Sequence, residues 1–186
     1  MVLKNETLRE PTQHFSVGDR AEIVAVTPSM WDAIRPQILE IEDESFPPSL
    51  ADSEDDLRAI VYSPTGIFLA LRAASSRQVL GYIAADLLEK FPNIPGTTSD
   101  PQFNKGNTIY IESVAVHPDW RRRGFATALV RECLKKALQR GIKRITAHID
   151  RRAKTRIGVG VLVLNSFSNW YQTDRTYDYV EFPLEK

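Results

Sequence analysis

The chain has one cysteine, Cys133, and three histidines among its 186 residues. A single thiol excludes an internal disulfide framework and fits a reducing compartment. His14, His117 and His148 are scattered and, with one Cys, offer no metal-ligand spacing, so no metal is expected. No window approaches the roughly 18–20 apolar residues of a membrane span. The N-terminal stretch MVLKNETLREPTQHF is polar and lacks the apolar run of a signal peptide. The expectation is a soluble, cytoplasmic protein with no membrane partner. Gly-x-Ser-x-Gly, P-loop and Gly-x-Gly-x-x-Gly motifs are all missing, as are internal repeats, so neither a nucleophile elbow nor the familiar nucleotide loops are present.

What is present suits one globular domain. An apolar fraction of 42% supports a sizeable core. Residues 1–19 show no periodicity and read as an N-terminal tail or arm, with the domain over 20–186. The net charge is zero but unevenly spread. Eight acids and no base lie between Glu40 and Asp56 (Glu40, Glu42, Asp43, Glu44, Asp52, Glu54, Asp55, Asp56), whereas thirteen Lys/Arg face two acids between Arg121 and Arg156. Such runs are either solvated faces or the marks of a cationic partner at one end of a cleft and an anionic one at the other.

The alternation in Ala21–Val26 predicts a strand. Thr27-Pro28 then opens a helix toward Glu44, which Pro36 should disturb. Ser53, followed by three acids, starts a second helix ending at Ser63-Pro64. Gly66–Ala73 and Val79–Glu89 read as an antiparallel hairpin. Phe91–Asn107, rich in Pro, Gly and Asn, is a long loop of the kind that serves as a lid. Thr108–Val116 is a β-branched strand, and Ala126, Leu129, Val130, Cys133, Leu134, Ala137 and Leu138 recur at helical spacing. Ile145–Ile149 and Tyr177–Phe182 are strands. The segment between them is a helix weakened by Gly158 and Gly160, or partly a strand. The fold class expected is a mixed α/β (α+β) domain.

Three consecutive arginines and a glycine open a long amphipathic helix, in HPDWRRRGFATALVREC. A helix start carries unpaired N–H groups and about half a positive charge, and a preceding glycine turn lets a diphosphate approach. A basic surface turn relieved by glycine is the plainer alternative. Arg121-x-x-Gly124-x-Ala126, placed after the strand IYIESVAVHP and before a long helix, resembles the acetyl-CoA signature of the GCN5-related N-acetyltransferases (GNAT).

That resemblance implies a mostly antiparallel sheet of six to seven strands with about four helices. It also implies acetyl-CoA as acyl donor, with Arg121, Arg122, Arg123, Gly124, Phe125, Ala126 and Thr127 around its pyrophosphate. The backbone amides of Val114, Ala115 and Val116 would face the acyl carbonyl. An alkylammonium must lose a proton before it attacks. Glu112, a carboxylate in an apolar strand and a match to a family Glu, is the candidate base; a solvent-facing Glu on an alternating strand is the alternative. Tyr171, with Asn165 counted among the cofactor residues, loosely matches the family's Asn-x-x-Ala-x-x-x-Tyr, one residue short and with Ser168 in place of Ala. It would return a proton to the thiolate unless it simply packs in the core. His117 reads as a cap or phosphate contact, His148 as a core histidine, and Cys133 as packing. The acceptor would be a small-molecule or peptide amine: a polyamine, an arylalkylamine or a lysine. A module that holds CoA without transfer is the alternative function. Nucleic acid is disfavoured because the basic segment lacks interleaved aromatics. A homodimer stays open, since a partner subunit could complete the acidic cleft or the final strand.

Overall fold

The structure, a computed structural model, describes residues 20–153 and 159–183; the expected tail over 1–19 lies outside them. Strand β1 (Ala21–Ala25) leads into α1 (Pro28–Ser45) and α2 (Glu54–Tyr62). Then come β2 (Ile67–Ala73), β3 (Val79–Leu87), β4 (Thr108–Val116), α3 (Phe125–Gln139), β5 (Arg144–Asp150), β6 (Leu162–Phe167) and β7 (Tyr177–Phe182). The seven strands form one sheet in the order β1-β2-β3-β4-β5-β7-β6. Only β4 and β5 run parallel.

Both faces of the central strands are covered, so β2 and β3 are apolar at nearly every position. Ile67, Leu69 and Leu71 turn to one face and meet Leu129, Val130, Cys133 and Ala137 of α3. Phe68 and Ala70 turn to the other and meet Trp31, Ile38, Ile41, Leu57 and Ile60 of α1 and α2. A capping box fixes the start of α2: the Ser53 hydroxyl accepts from the Asp56 amide while Asp56 accepts from the Ser53 amide. Pro36 does not break α1, which stays continuous through it. Pro36 and Asp32, whose carbonyl loses its intrahelical donor, are both exposed, so water replaces the missing bond.

One open reading is decided and one expectation needs correction. Among the described residues there are three α-helices; after β5, residues 154–158 with Gly158 lie outside the described residues, and the rest of that segment contains the edge strand β6 and a short 3-10 turn at Trp170–Gln172. The loop over 91–107 is not a loose lid. Thr97, fully buried, donates to the carbonyls of Phe91 and Ile94. Asp100 accepts from Arg144 Nη1 at both carboxylate oxygens, each at 2.8 Å, and from the Tyr179 hydroxyl at 2.7 Å. These contacts tie the loop to β5 and β7 as a fixed wall.

Candidate active site

The sheet opens at one place. Pairing of β4 with β5 stops at Ile111↔Ala147, and β4 runs on to Val116 with no β5 partner. Glu112 is the first residue beyond that point. It is also the extra residue of a β-bulge, since Ala85 pairs with Ile111 and Ala84 with Ser113. The bulge reverses the facing of the strand: Ile109 and Ile111 pack toward α3, whereas after it Val114 and Val116 do, and Ala115 turns to the opposite core. A regular alternation, the basis of the solvent-facing alternative for Glu112, therefore fails at this residue. Glu112 lines a cleft of about 780 Å³ bounded by β4, β5, α2, the α1–α2 connection and the 91–94 turn.

Backbone direction in the opened stretch follows from register. The His117 amide bonds Leu80 O, so Ala115 pairs with Tyr82 in the β3 ladder, while Val114 and Val116 turn their backbone groups into the gap. Of the three amides expected to face an acyl group, Ala115 is thus spent within the sheet. Arg121 confirms the direction of Val116, donating to its carbonyl at 2.9 Å.

The turn before α3 is open. Gly124 adopts φ 79°, a left-handed conformation that suits glycine, and a Cβ there would meet nothing within 4 Å. The first intrahelical bond runs from Ala128 to Gly124, and the amides of Gly124, Phe125 and Ala126 have no partner among the described residues. Ala126 and Val130 line the same cleft as Glu112, with Thr127 half-buried beside them. A helix end of this kind fits a diphosphate. The arginine side chains behave differently from expectation. Arg121 folds back to Val116 O, Ser45 Oγ (3.0 Å) and Glu44 O (3.4 Å), capping the end of α1. Arg123 stacks over Trp120 at 4.5 Å, and Arg122 is exposed.

Behind Glu112 sits a carboxylate cluster that includes Glu42, which sequence reasoning had left within an undivided acidic run. Glu42 is 1% exposed, hydrogen-bonded by the Tyr82 hydroxyl and by the Asp52 amide at 2.7 Å. Tyr82 also meets Ser113 Oγ at 3.0 Å. The signal for Glu42 was its spacing, four residues after Ile38 on the apolar face of α1. Burial, then the neighbouring acids Asp52 and Asp43, push its carboxyl up to about 8. Burial raises Asp52 and Glu112 too, and each feels the other across a shared hydrogen bond. Two carboxyls so placed cannot both ionise, so the pair retains one proton. Glu112 Oε2 is buried with no hydrogen-bond donor among the described residues.

Tyr171 lies at the mouth of this cleft, on the Trp170–Gln172 turn, and is 43% exposed. Partial burial and the charges of Glu112 and Asp52 raise its pKa, so it holds its proton at neutral pH. Asn165 is not brought there: it stands on β6 opposite Tyr179, outside the cleft lining. His117 caps the Pro118–Trp120 turn through Nδ1, as expected of a cap, and its Nε2 faces Glu44 at 3.2 Å. His148 lines the cleft, stacked between Trp170 and Tyr179, with Nδ1 2.9 Å from the Tyr110 hydroxyl. Cys133 is buried, its thiol pushed up to about 12, which suits packing. Among the described residues no group of three potential ligands could hold a metal, and no helix is long and apolar enough to cross a membrane.

A sequence model of the acetyltransferase (GNAT) family matches residues 35–158, a span holding the splayed strand, the glycine turn and α3. The chain belongs to the GNAT family. Comparison with the curated proteins finds no match. Solved structures share the fold of this GNAT domain at low identity. The ribosomal-protein-S18-alanine N-acetyltransferase of Escherichia coli superposes with a TM-score of 0.65 at 13% identity, over 90% of this chain and 96% of that one. Arabidopsis thaliana NAA60, solved in complex with acetyl-CoA, gives 0.64 at 16%, over 88% and 98%. A GCN5-related N-acetyltransferase from Kribbella flavida gives 0.62 at 18%, over 88% and 98%.

Proposed function

We propose that this GNAT domain transfers an acetyl group to the primary amine of a cationic acceptor by direct attack in a ternary complex. The observation that carries the reading is a cleft lined both by Ala126, at the amide-bearing start of α3, and by the half-buried Glu112–Asp52 pair, beside the gap where β4 leaves β5.

Acetyl-CoA, as second substrate, supplies the acyl carbonyl. Gly124, Phe125 and Ala126 would hold its diphosphate with backbone amides, and Val114 and Val116 offer backbone groups along the gap. The Glu112–Asp52 pair, with one proton and one negative charge, attracts an ammonium and accepts the proton it must lose. Tyr171, which lines the same cleft and keeps its proton at neutral pH, would be the donor. In balance, a C–N bond forms and a C–S bond breaks. The ammonium loses one proton to the carboxylate pair before attack. Tyr171 gives its proton to sulfur as the C–S bond breaks, and the second proton leaving nitrogen restores Tyr171. Amide and thiol leave, and the pair returns one proton to solvent.

A thiol-release assay with acetyl-CoA and a panel of amines tests this. Intersecting double-reciprocal plots are expected; parallel plots, the mark of a covalent enzyme intermediate, would overturn the ternary route. One observation favours a second reading, a CoA-binding module without transfer. Tyr171 sits on a 3-10 turn and not in a helix, and Asn165 lies away from the cleft. Thermal stabilisation by CoA with no turnover on any amine would favour that module.

A further inference from the structure

The cleft sets a continuous aromatic wall beside its carboxylates. Phe91 lies 5.0 Å from Tyr110, Tyr110 lies 5.8 Å from His148, and His148 stacks on Trp170 at 4.4 Å. Trp170 in turn meets Tyr171 at 5.0 Å and Tyr177 at 5.3 Å. All six rings line the cleft. The wall carries no charge: burial holds His148 down at about 3, and the tyrosines keep their protons. Beside it Glu112 Oε2 lies buried without a donor, next to Asp52. Of the other acids of the lining, Asp150 pairs with Arg152 and Arg175, Asp86 accepts from Thr65 and the Leu87 amide, and Asp56 accepts from Ser53 in the cap of α2. Lys90, exposed, is the one Lys or Arg among the described residues of the lining.

We infer that the acceptor is a monoamine on a flat apolar body without a carboxylate, an arylalkylamine in chemical class; this rests on the acetyl-transfer reading above. The ammonium supplies the donor that Glu112 Oε2 lacks, and the ring of the acceptor lies against uncharged rings. A carboxylate next to the amine, as in a free amino acid, falls within a few ångström of the Glu112–Asp52 pair and is repelled. A polyamine that follows the ring wall must lay its further ammonium groups along a surface of uncharged rings. A peptide amine brings backbone donors and acceptors that rings leave unpaired.

The test compares kcat/KM for 2-phenylethylamine, phenylalanine, hexylamine, spermidine and a short peptide with a free N-terminus. Phenylethylamine should exceed phenylalanine by about a hundredfold and spermidine or the peptide by about tenfold. Phe91→Leu keeps the apolar volume but removes a ring of the wall. It should raise KM for phenylethylamine about fivefold and shift KM for hexylamine clearly less. Phenylalanine, spermidine or the peptide matching phenylethylamine would overturn the inference. If no amine turns over, the transfer reading fails, and thermal shift of the CoA-saturated protein decides the class alone. Stabilisation by phenylethylamine but not phenylalanine supports it, and equal shifts overturn it.

Discussion

Replacing Glu42 by Gln should make the protein more stable, and more so as pH rises. Glu42 is 1% exposed and its carboxyl is pushed up to about 8, chiefly by burial, against an ordinary 4.5. For an acid whose folded pKa is raised, the folded state holds the proton longer than the unfolded chain does. Stability therefore falls as pH climbs from about 4.5 to about 8 and is least above both values. A shift of this size corresponds to roughly 3–4 kcal/mol between pH 5 and pH 8. Gln at 42 cannot ionise, yet its carbonyl still accepts from Tyr82 or the Asp52 amide. Denaturant melts of both proteins at pH 5, 6.5 and 8 read the difference directly. The gap should be below about 1 kcal/mol at pH 5 and widen by about 3–4 kcal/mol by pH 8. A gap constant across that range would refute the reasoning, because it would mean Glu42 titrates like a solvated carboxylate.

Glu112→Gln should lower kcat/KM by about 10²–10⁴ while CoA affinity holds, measured by thiol release and calorimetry. Tyr171→Phe should lower kcat about tenfold or more with little change in acceptor KM, and the alkaline limb of the pH–rate profile should move. Arg144→Met leaves Asp100, whose side chain is 2% exposed, without its charged partner, and should cost about 3 kcal/mol in denaturant melts.

The parts of the fold that could be read from the chain are those in which local pattern and burial agree. Thr108–Val116 and Tyr177–Phe182 are β-branched or aromatic runs stopped by Pro118 and Pro183, and both strands occupy those bounds. Gly124 and the apolar repeat of α3 located the turn because each residue there serves its local backbone. What escaped depended on tertiary contacts. The direction of Glu112 is decided by a bulge that no periodicity displays, and Glu42 merged with its acidic neighbours although its partners Tyr82 and Ser113 lie in distant strands. The arginines of the turn read as phosphate ligands because their charge was visible and their partners, Val116 O, Ser45 and Trp120, were not. Strand β6 was ambiguous for a related reason. Leu162, Val163 and Leu164 are 63%, 41% and 38% exposed, so their apolar character reports pairing with β7 and not burial.

The central claim is that the open glycine turn before α3 holds the diphosphate of CoA. Titration of CoA by calorimetry into the wild-type protein and into Gly124→Glu tests it most directly. The variant places a carboxylate among the amides, on a backbone at φ 79°. Affinity should fall at least a hundredfold while cooperative melting is retained. Unchanged affinity in a folded Gly124→Glu protein would contradict the account.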